Sequence, residues 1–208
     1  MKALVISHNA FSKVSNNGKT LESIFSCFDS VDLAQIYFYP QNPDLDYCFN
    51  FYRITDIDII KRIFLRSRKC GGLVSCSSNS VVDENTQSDK KKFTFFSKYS
   101  RCIRLFRDIL WKTYVWKTKE LIEWLKKFNP DVIFFLAGDG GFAHQISWYI
   151  SRLLSKPLVV YITDDYFLYK KNESIFERIH HYRIKRFMME SIKLSSFRFA
   201  IGVFWQEI

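Results

Sequence analysis

The sequence predicts an α/β protein built on a Rossmann-like, mostly parallel sheet with helices on both faces, and three observations predict it. Short runs such as Ala3-Leu4-Val5-Ile6 and Val132-Ile133-Phe134-Phe135-Leu136 are apolar throughout rather than alternating, as expected of strands buried on both faces. Segments with helical apolar spacing separate these runs. Polar or glycine-rich residues come directly after the runs, at the carboxyl ends where open α/β sheets bind ligands.

Taken in order, Lys2 to Ser7 reads as the opening strand, and Lys19 to Phe28 as a helix entered through Asn16-Asn17-Gly18. Leu33 to Phe38 is a second strand, Phe49 to Thr55 a third, and Ile57 to Leu65 a helix. Arg66 to Lys92 holds Gly71-Gly72, many Ser and Asn, and Lys90-Lys91-Lys92, and reads as a mobile basic loop. Tyr99 to Phe128 reads as a long amphipathic helix, broken or continuous. Its apolar row (Ile103, Phe106, Leu110, Tyr114, Leu121, Leu125, Phe128) faces a core and its charged row, which includes Asp108 and Lys112, faces away. Asp131 to Ala137 is a strand, Phe142 to Leu154 a helix, Pro157 to Thr163 a strand, Ser174 to Leu194 a basic helix and Phe197 to Val203 a last strand.

A chain of 208 residues, 48% hydrophobic and 25% charged, is one domain by length, or at most two small ones. At that size it buries roughly 70% of the surface of its unfolded chain, so it needs no crosslinks. Five cysteines without a C-x-x-C pair argue against a disulfide scaffold or zinc ribbon. Without a signal-peptide core or about 18 consecutive apolar residues, the chain reads as cytoplasmic, able to touch a membrane but not to cross it.

Residues 61–130 carry 17 Lys and Arg against 6 Asp and Glu, which accounts for the net charge of +10. Such a localised patch suits an anionic surface. Nucleic acid is disfavoured, because no helix-turn-helix, zinc-finger or RNP signature accompanies the patch. Lys112, Trp116, Lys117 and Lys119 have the composition of a membrane-interface helix, although tryptophans that widen a core face produce the same pattern.

Three strand-end constellations carry the chemistry. His8-Asn9 leads to Asn16-Asn17-Gly18-Lys19-Thr20, which lacks the first glycine of a P-loop; position 13 is Lys13. It leaves a glycine beside a helix start that favours an anion, or an ordinary Asn-capped helix. Gly138-Asp139-Gly140-Gly141-Phe142-Ala143 satisfies G-x-G-x-x-A between strand and helix, with Asp164 and Asp165 at the next strand end, so a dinucleotide cofactor is one reading. Tyr161-Ile162-Thr163-Asp164-Asp165-Tyr166 pairs two carboxylates that suit sugar hydroxyls or base catalysis, or simply form an Asp-rich turn. Arg178 and His181 on the following helix suit phosphate, no metal-ligand spacing accompanies them, and His144 reads as a satisfied polar contact.

The ordered set of Asn16 to Thr20, Phe51 to Asp56, Gly138 to Gly141 and Tyr161 to Tyr166 resembles the N-terminal half of GT-B glycosyltransferases. The nearest resemblance is to the retaining, family-4-like enzymes of bacterial surface-polysaccharide assembly. It implies half of a GT-B architecture: an acceptor-side domain, with the nucleotide-sugar bound by a second domain carrying a Glu pair eight residues apart. No two glutamates here have that separation, so a fragment, a truncated product or half of a split enzyme is expected. The resemblance implies that Asp164 or Asp165 contacts acceptor hydroxyls. His8, Asn16, Asn17, Gly18, Lys19, Asp139, Gly140, Gly141 and Tyr166 would line the acceptor cleft, with Arg178 and His181 on phosphate. It invokes no cofactor and no metal. The partners expected are a sugar or lipid-linked sugar acceptor, an anionic inner-membrane face and a separate donor domain, with no nucleic acid. The alternatives are a non-catalytic subunit of a split glycosyltransferase and an NAD- or FAD-dependent oxidoreductase.

Overall fold

The computed structural model describes residues 1–13, 16–29, 32–43, 50–65, 69–74, 100–164 and 175–200, with the side chains of 16, 100–105 and 199–200 excepted. Its centre is a seven-stranded sheet: β1 (Ala3–Ser7), β2 (Leu33–Tyr37), β3 (Asn50–Arg53), β4 (Gly72–Val74), β5 (Val132–Ala137), β6 (Leu158–Ile162) and β7 (Phe197–Ala200). The spatial order is β4-β3-β2-β1-β5-β6-β7, and every pairing is parallel except β3 with β4. The predicted fold class is therefore present. The chain steps outward from β1 through β2 to β3, then returns to β1's other side at β5 and steps the opposite way. The strand order thus reverses between β1 and β5, and at such a reversal the flanking connections diverge and open a crevice at the carboxyl edge.

The helices are α1 (Asn16–Phe25), α2 (Asp56–Phe64), α3 (Ser100–Trp111), α4 (Lys119–Phe128), α5 (Gly141–Leu154) and α6 (Ile175–Leu194). They cover the sheet unequally. Leu4, Ile6, Ile36, Ile133, Phe135 and Val160 face a core closed by side chains of α2 through α6. Val5, Leu33, Phe51, Phe134 and Val159 face a smaller core in which α1 supplies Leu21 and Phe25. α2 begins with a capping box: Thr55 Oγ1 accepts from Asp58 N–H at 3.3 Å and Asp58 Oδ2 accepts from Thr55 N–H at 2.8 Å.

The long amphipathic segment, read as broken or continuous, is two helices, and expectations made on it are corrected. α3 closes at Trp111, Tyr114 takes φ 57°, and Thr118 caps α4 by accepting from Leu121 N–H at 3.2 Å. The break turns Trp116 inward to 1% exposure, with its indole N–H donating to the Trp111 carbonyl at 3.2 Å, so Trp116 is core and not a membrane contact. The break also shifts the helical phase. Phe106 and Tyr114, placed on the core row by spacing, are 56% and 47% exposed, whereas Asp108, placed on the outer row, is buried. Of the other residues expected at a membrane, Lys112 and Lys119 are exposed. Lys117 holds its ammonium 4.0 Å from the Tyr149 ring centroid and 4.3 Å from that of Tyr114. Within the segment expected to be loop, Gly72–Val74 pairs antiparallel with β3; most of the remainder lies outside the described residues.

Candidate functional site

The crevice between β1 and β5 holds a cavity of about 310 Å³, lined by His8, Asn9, Asn17, Leu136, Gly138, Asp139, Gly140, Phe142 and Ala143. That volume is at the lower end of small-molecule sites. Three chain segments build it, and each is held by the interior.

The loop after β1 is fixed by Gln35, a buried amide on β2. Its Nε2 donates to Ser7 Oγ at 2.8 Å and to the Asn9 carbonyl at 3.0 Å, while its Oε1 accepts from Phe11 N–H at 3.1 Å. The His8 carbonyl accepts from Phe38 and Tyr39 N–H at 3.1 and 2.9 Å. These bonds leave the His8 imidazole at the cavity wall on a rigid backbone. The start of α1 approaches that loop so closely that a Cβ on Gly18 would lie 2.5 Å from the Ala10 carbonyl oxygen. Gly18 is buried and serves this packing, which places Asn17 at the cavity; Lys19 points to solvent.

The loop after β5 is fixed from beneath by His144, which is fully buried. Its Nε2 lies 3.2 Å from the Gly138 carbonyl and its Nδ1 lies 2.7 Å from Ser191 Oγ, which in turn accepts from the Trp148 indole at 2.8 Å. A carbonyl can only accept, so Nε2 carries the proton and Ser191 donates to Nδ1. Burial drives the His144 pKa down to about 4, and the hydrogen bond to Gly138 opposes that shift only in part. His144 is thus the satisfied polar contact that its position implied.

The start of α5 explains the glycine pair. A Cβ on Gly141 would lie 2.6 Å from the Phe187 ring and 3.2 Å from Asp108 Oδ2. The Asp108 carboxylate accepts from Phe142 N–H and from Arg183 Nη2, the latter at 3.1 Å; burial pushes its pKa up against these stabilising contacts. A dinucleotide fingerprint needs its pyrophosphate at this helix N-terminus. Here the Asp108 carboxylate of α3 accepts from Phe142 N–H in that first turn, so Gly141 also serves internal packing.

Arg107 and Trp111, which no motif singled out, complete the electrostatics together with Asp56 and Phe142. Asp56, at the first turn of α2, accepts from Arg107 Nε at 2.8 Å and from the Trp111 indole at 2.6 Å. Arg107 also lies over the Phe142 ring at 4.5 Å, and Trp111 stacks on the same ring at 4.2 Å. The His8 pKa is pushed down to about 4, chiefly by burial and then by Arg107, against the opposing pull of Asp139 and Asp56. Neutral His8 and Asp139 therefore line the same cavity as Asn9 and Asn17. This set both accepts from and donates to hydroxyl groups.

The structure does not gather every predicted residue. Asp164, at the end of β6, is exposed and accepts from the Thr163 hydroxyl at 3.2 Å; it is not in the cavity lining. Asp165 and Tyr166 lie outside the described residues, as does the Asn16 side chain. Arg178 is exposed and His181 half-buried on α6, and neither lines the cavity. Among the described residues no three His, Cys, Asp or Glu side chains are grouped to hold a metal ion, and no helix is long and apolar enough to cross a membrane. The chain matches no protein-family model, no curated protein and no solved structure, so the site stands on its own geometry.

Proposed function

We propose that the protein is the acceptor-binding half of a sugar-nucleotide-dependent glycosyltransferase in glycolipid or polysaccharide assembly, acting at the cytoplasmic face of a membrane with a donor domain supplied separately. One observation supports this most: a neutral histidine, an aspartate and two asparagines line a small cavity where the strand order reverses. In this reading Asp139 accepts from an acceptor hydroxyl, His8 and the Asn side chains fix the ring's orientation, and Asp164 extends the same edge toward a longer acceptor. The leaving diphosphate needs positive charge or helix dipoles, which the reading assigns to the donor half, so the chain alone is expected to transfer sugar poorly.

The test is thermal stability against short lipid-diphosphate sugars, nucleotide-sugars and dinucleotides. A ligand at about 100 times its dissociation constant adds about 2.7 kcal/mol, or roughly 5–10 °C for a chain of this size. The expected outcome is a shift with the lipid-linked sugar that Asp139→Asn abolishes while leaving the unliganded Tm in place. A shift confined to NAD or FAD, or one that Asp139→Asn retains, would sink the reading.

A further inference from the structure

The break between α3 and α4 withdraws Trp116 from the surface, and further exposed apolar groups lie on α3 and on the start of α6. A Cβ on Gly141 would meet Phe187, so Phe187 is level with the first residue of α5, at the carboxyl edge of the sheet. α6 begins twelve residues earlier, at Ile175, so its first three turns reach about 18 Å past that level. On them Phe176, Ile179 and Tyr182 are 50%, 44% and 57% exposed. The Asp108–Arg183 ion pair ties α3 alongside, where Phe106 and Ile109 are 56% and 58% exposed.

Cations interleave with these side chains. α6 carries five Lys and Arg against two Glu, and Arg178, Lys185 and Arg186 are exposed on it, as is Lys112 beyond the end of α3. Behind the ridge, a groove of about 340 Å³ is lined by Lys112, Arg183 and Arg186 together with Trp148, Phe187 and Glu190. Protein–protein interfaces enrich arginine and aromatic residues but are depleted of lysine, whereas a bilayer takes apolar side chains to the acyl boundary and holds cations at the phosphates, where the exposed Lys112 and Lys185 also fit.

We propose that the α3–α6 ridge docks on an anionic phospholipid bilayer, with Phe106, Ile109, Ile179 and Tyr182 entering the headgroup region and the Lys112–Arg186 groove holding lipid phosphate. The ridge flanks the carboxyl edge where the cavity opens, so docking would bring a lipid-borne ligand to it. The proposal rests on the peripheral-membrane part of the reading above and is independent of the sugar chemistry.

Flotation of the purified chain with vesicles of phosphatidylcholine, alone or with a third of phosphatidylglycerol, tests it. The anionic vesicles should retain the protein. Lys112→Glu with Arg186→Glu should weaken retention at least tenfold, since each surface cation is worth about fivefold in binding. Ile109→Ser with Ile179→Ser should abolish it, and Lys119→Glu with Lys126→Glu, on α4, should leave it unchanged. All these positions are exposed, and an unchanged Tm reports that each variant is folded. Equal binding to neutral vesicles, binding that survives the ridge variants, or self-association that the serine pair abolishes without any vesicle binding would overturn the proposal. Normal flotation with no thermal shift from lipid-diphosphate sugars would support the ridge and refute the sugar reading. The reverse result would refute the ridge alone.

Discussion

His8 and His144 stand at the carboxyl edge of adjacent strands, and burial pulls both imidazoles down to a pKa of about 4, yet they do opposite work. His144 has both ring nitrogens engaged, by Gly138 and Ser191, and shapes the loop after β5 from below. Among the described residues His8 has no hydrogen bond to its ring; around it are the Tyr39 ring at 5.8 Å, the charges of Arg107, Asp139 and Asp56, and a cavity. A depressed pKa therefore does not distinguish a structural histidine from one facing a ligand. The partners do.

The largest break in this comparison should come from His144→Ala. It opens a cavity and strands Ser191 Oγ and the Gly138 carbonyl, for a loss of about 4 kcal/mol in urea unfolding; His8→Ala should cost under about 1 kcal/mol. Next comes pH. Each histidine is neutral when folded and takes up a proton near pH 6.5 when unfolded, so the unfolded state binds more protons between pH 6.5 and 4. The contribution is complete above pH 6.5 and is lost as pH falls toward 4. Between pH 7 and 5 each histidine should cost about 2 kcal/mol, and His8→Ala should remove one such increment from the measured slope. The smallest effects sharpen the contrast within one loop. Gly141→Ala drives a methyl into Phe187 and Asp108 and should cost about 1–2 kcal/mol, whereas Gly138, where a Cβ meets nothing within 4 Å, should tolerate alanine within about 0.5 kcal/mol.

The sheet was legible because strands such as β1 and β5 are apolar on both faces, a pattern that survives without knowledge of the tertiary partner. The break between α3 and α4 was harder to read. Leu110, Tyr114 and Leu121 keep spacings of four and seven through it, so periodicity alone did not decide between one helix and two. Asp108 was assigned outward because charged residues on amphipathic helices usually are; its reason for facing inward, Arg183, lies 75 residues away. At the site, His8, Asn17, Asp139 and Gly140 are legible because each lies in the loop or helix start just beyond a strand's carboxyl end. Asp56 occupies the equivalent position beyond β3 and carries the same signal, whereas Arg107 looks in sequence like any solvated cation of a basic helix.

The pairing of β1 with β5 has a further consequence, for biosynthesis. Ala3 is in register with Val132, and Lys2 N–H donates to Asp131 across 129 residues, so the centre of the sheet is also its longest-range contact. At about 5–20 residues per second on a ribosome, one edge of the first strand waits roughly 6–26 s for its permanent neighbour. Through that interval β1 is an apolar strand with an open side, the kind of edge that recruits foreign strands. The crevice beside this seam therefore cannot form until some 130 residues have been made, and until then the nascent chain carries its central strand with one side open.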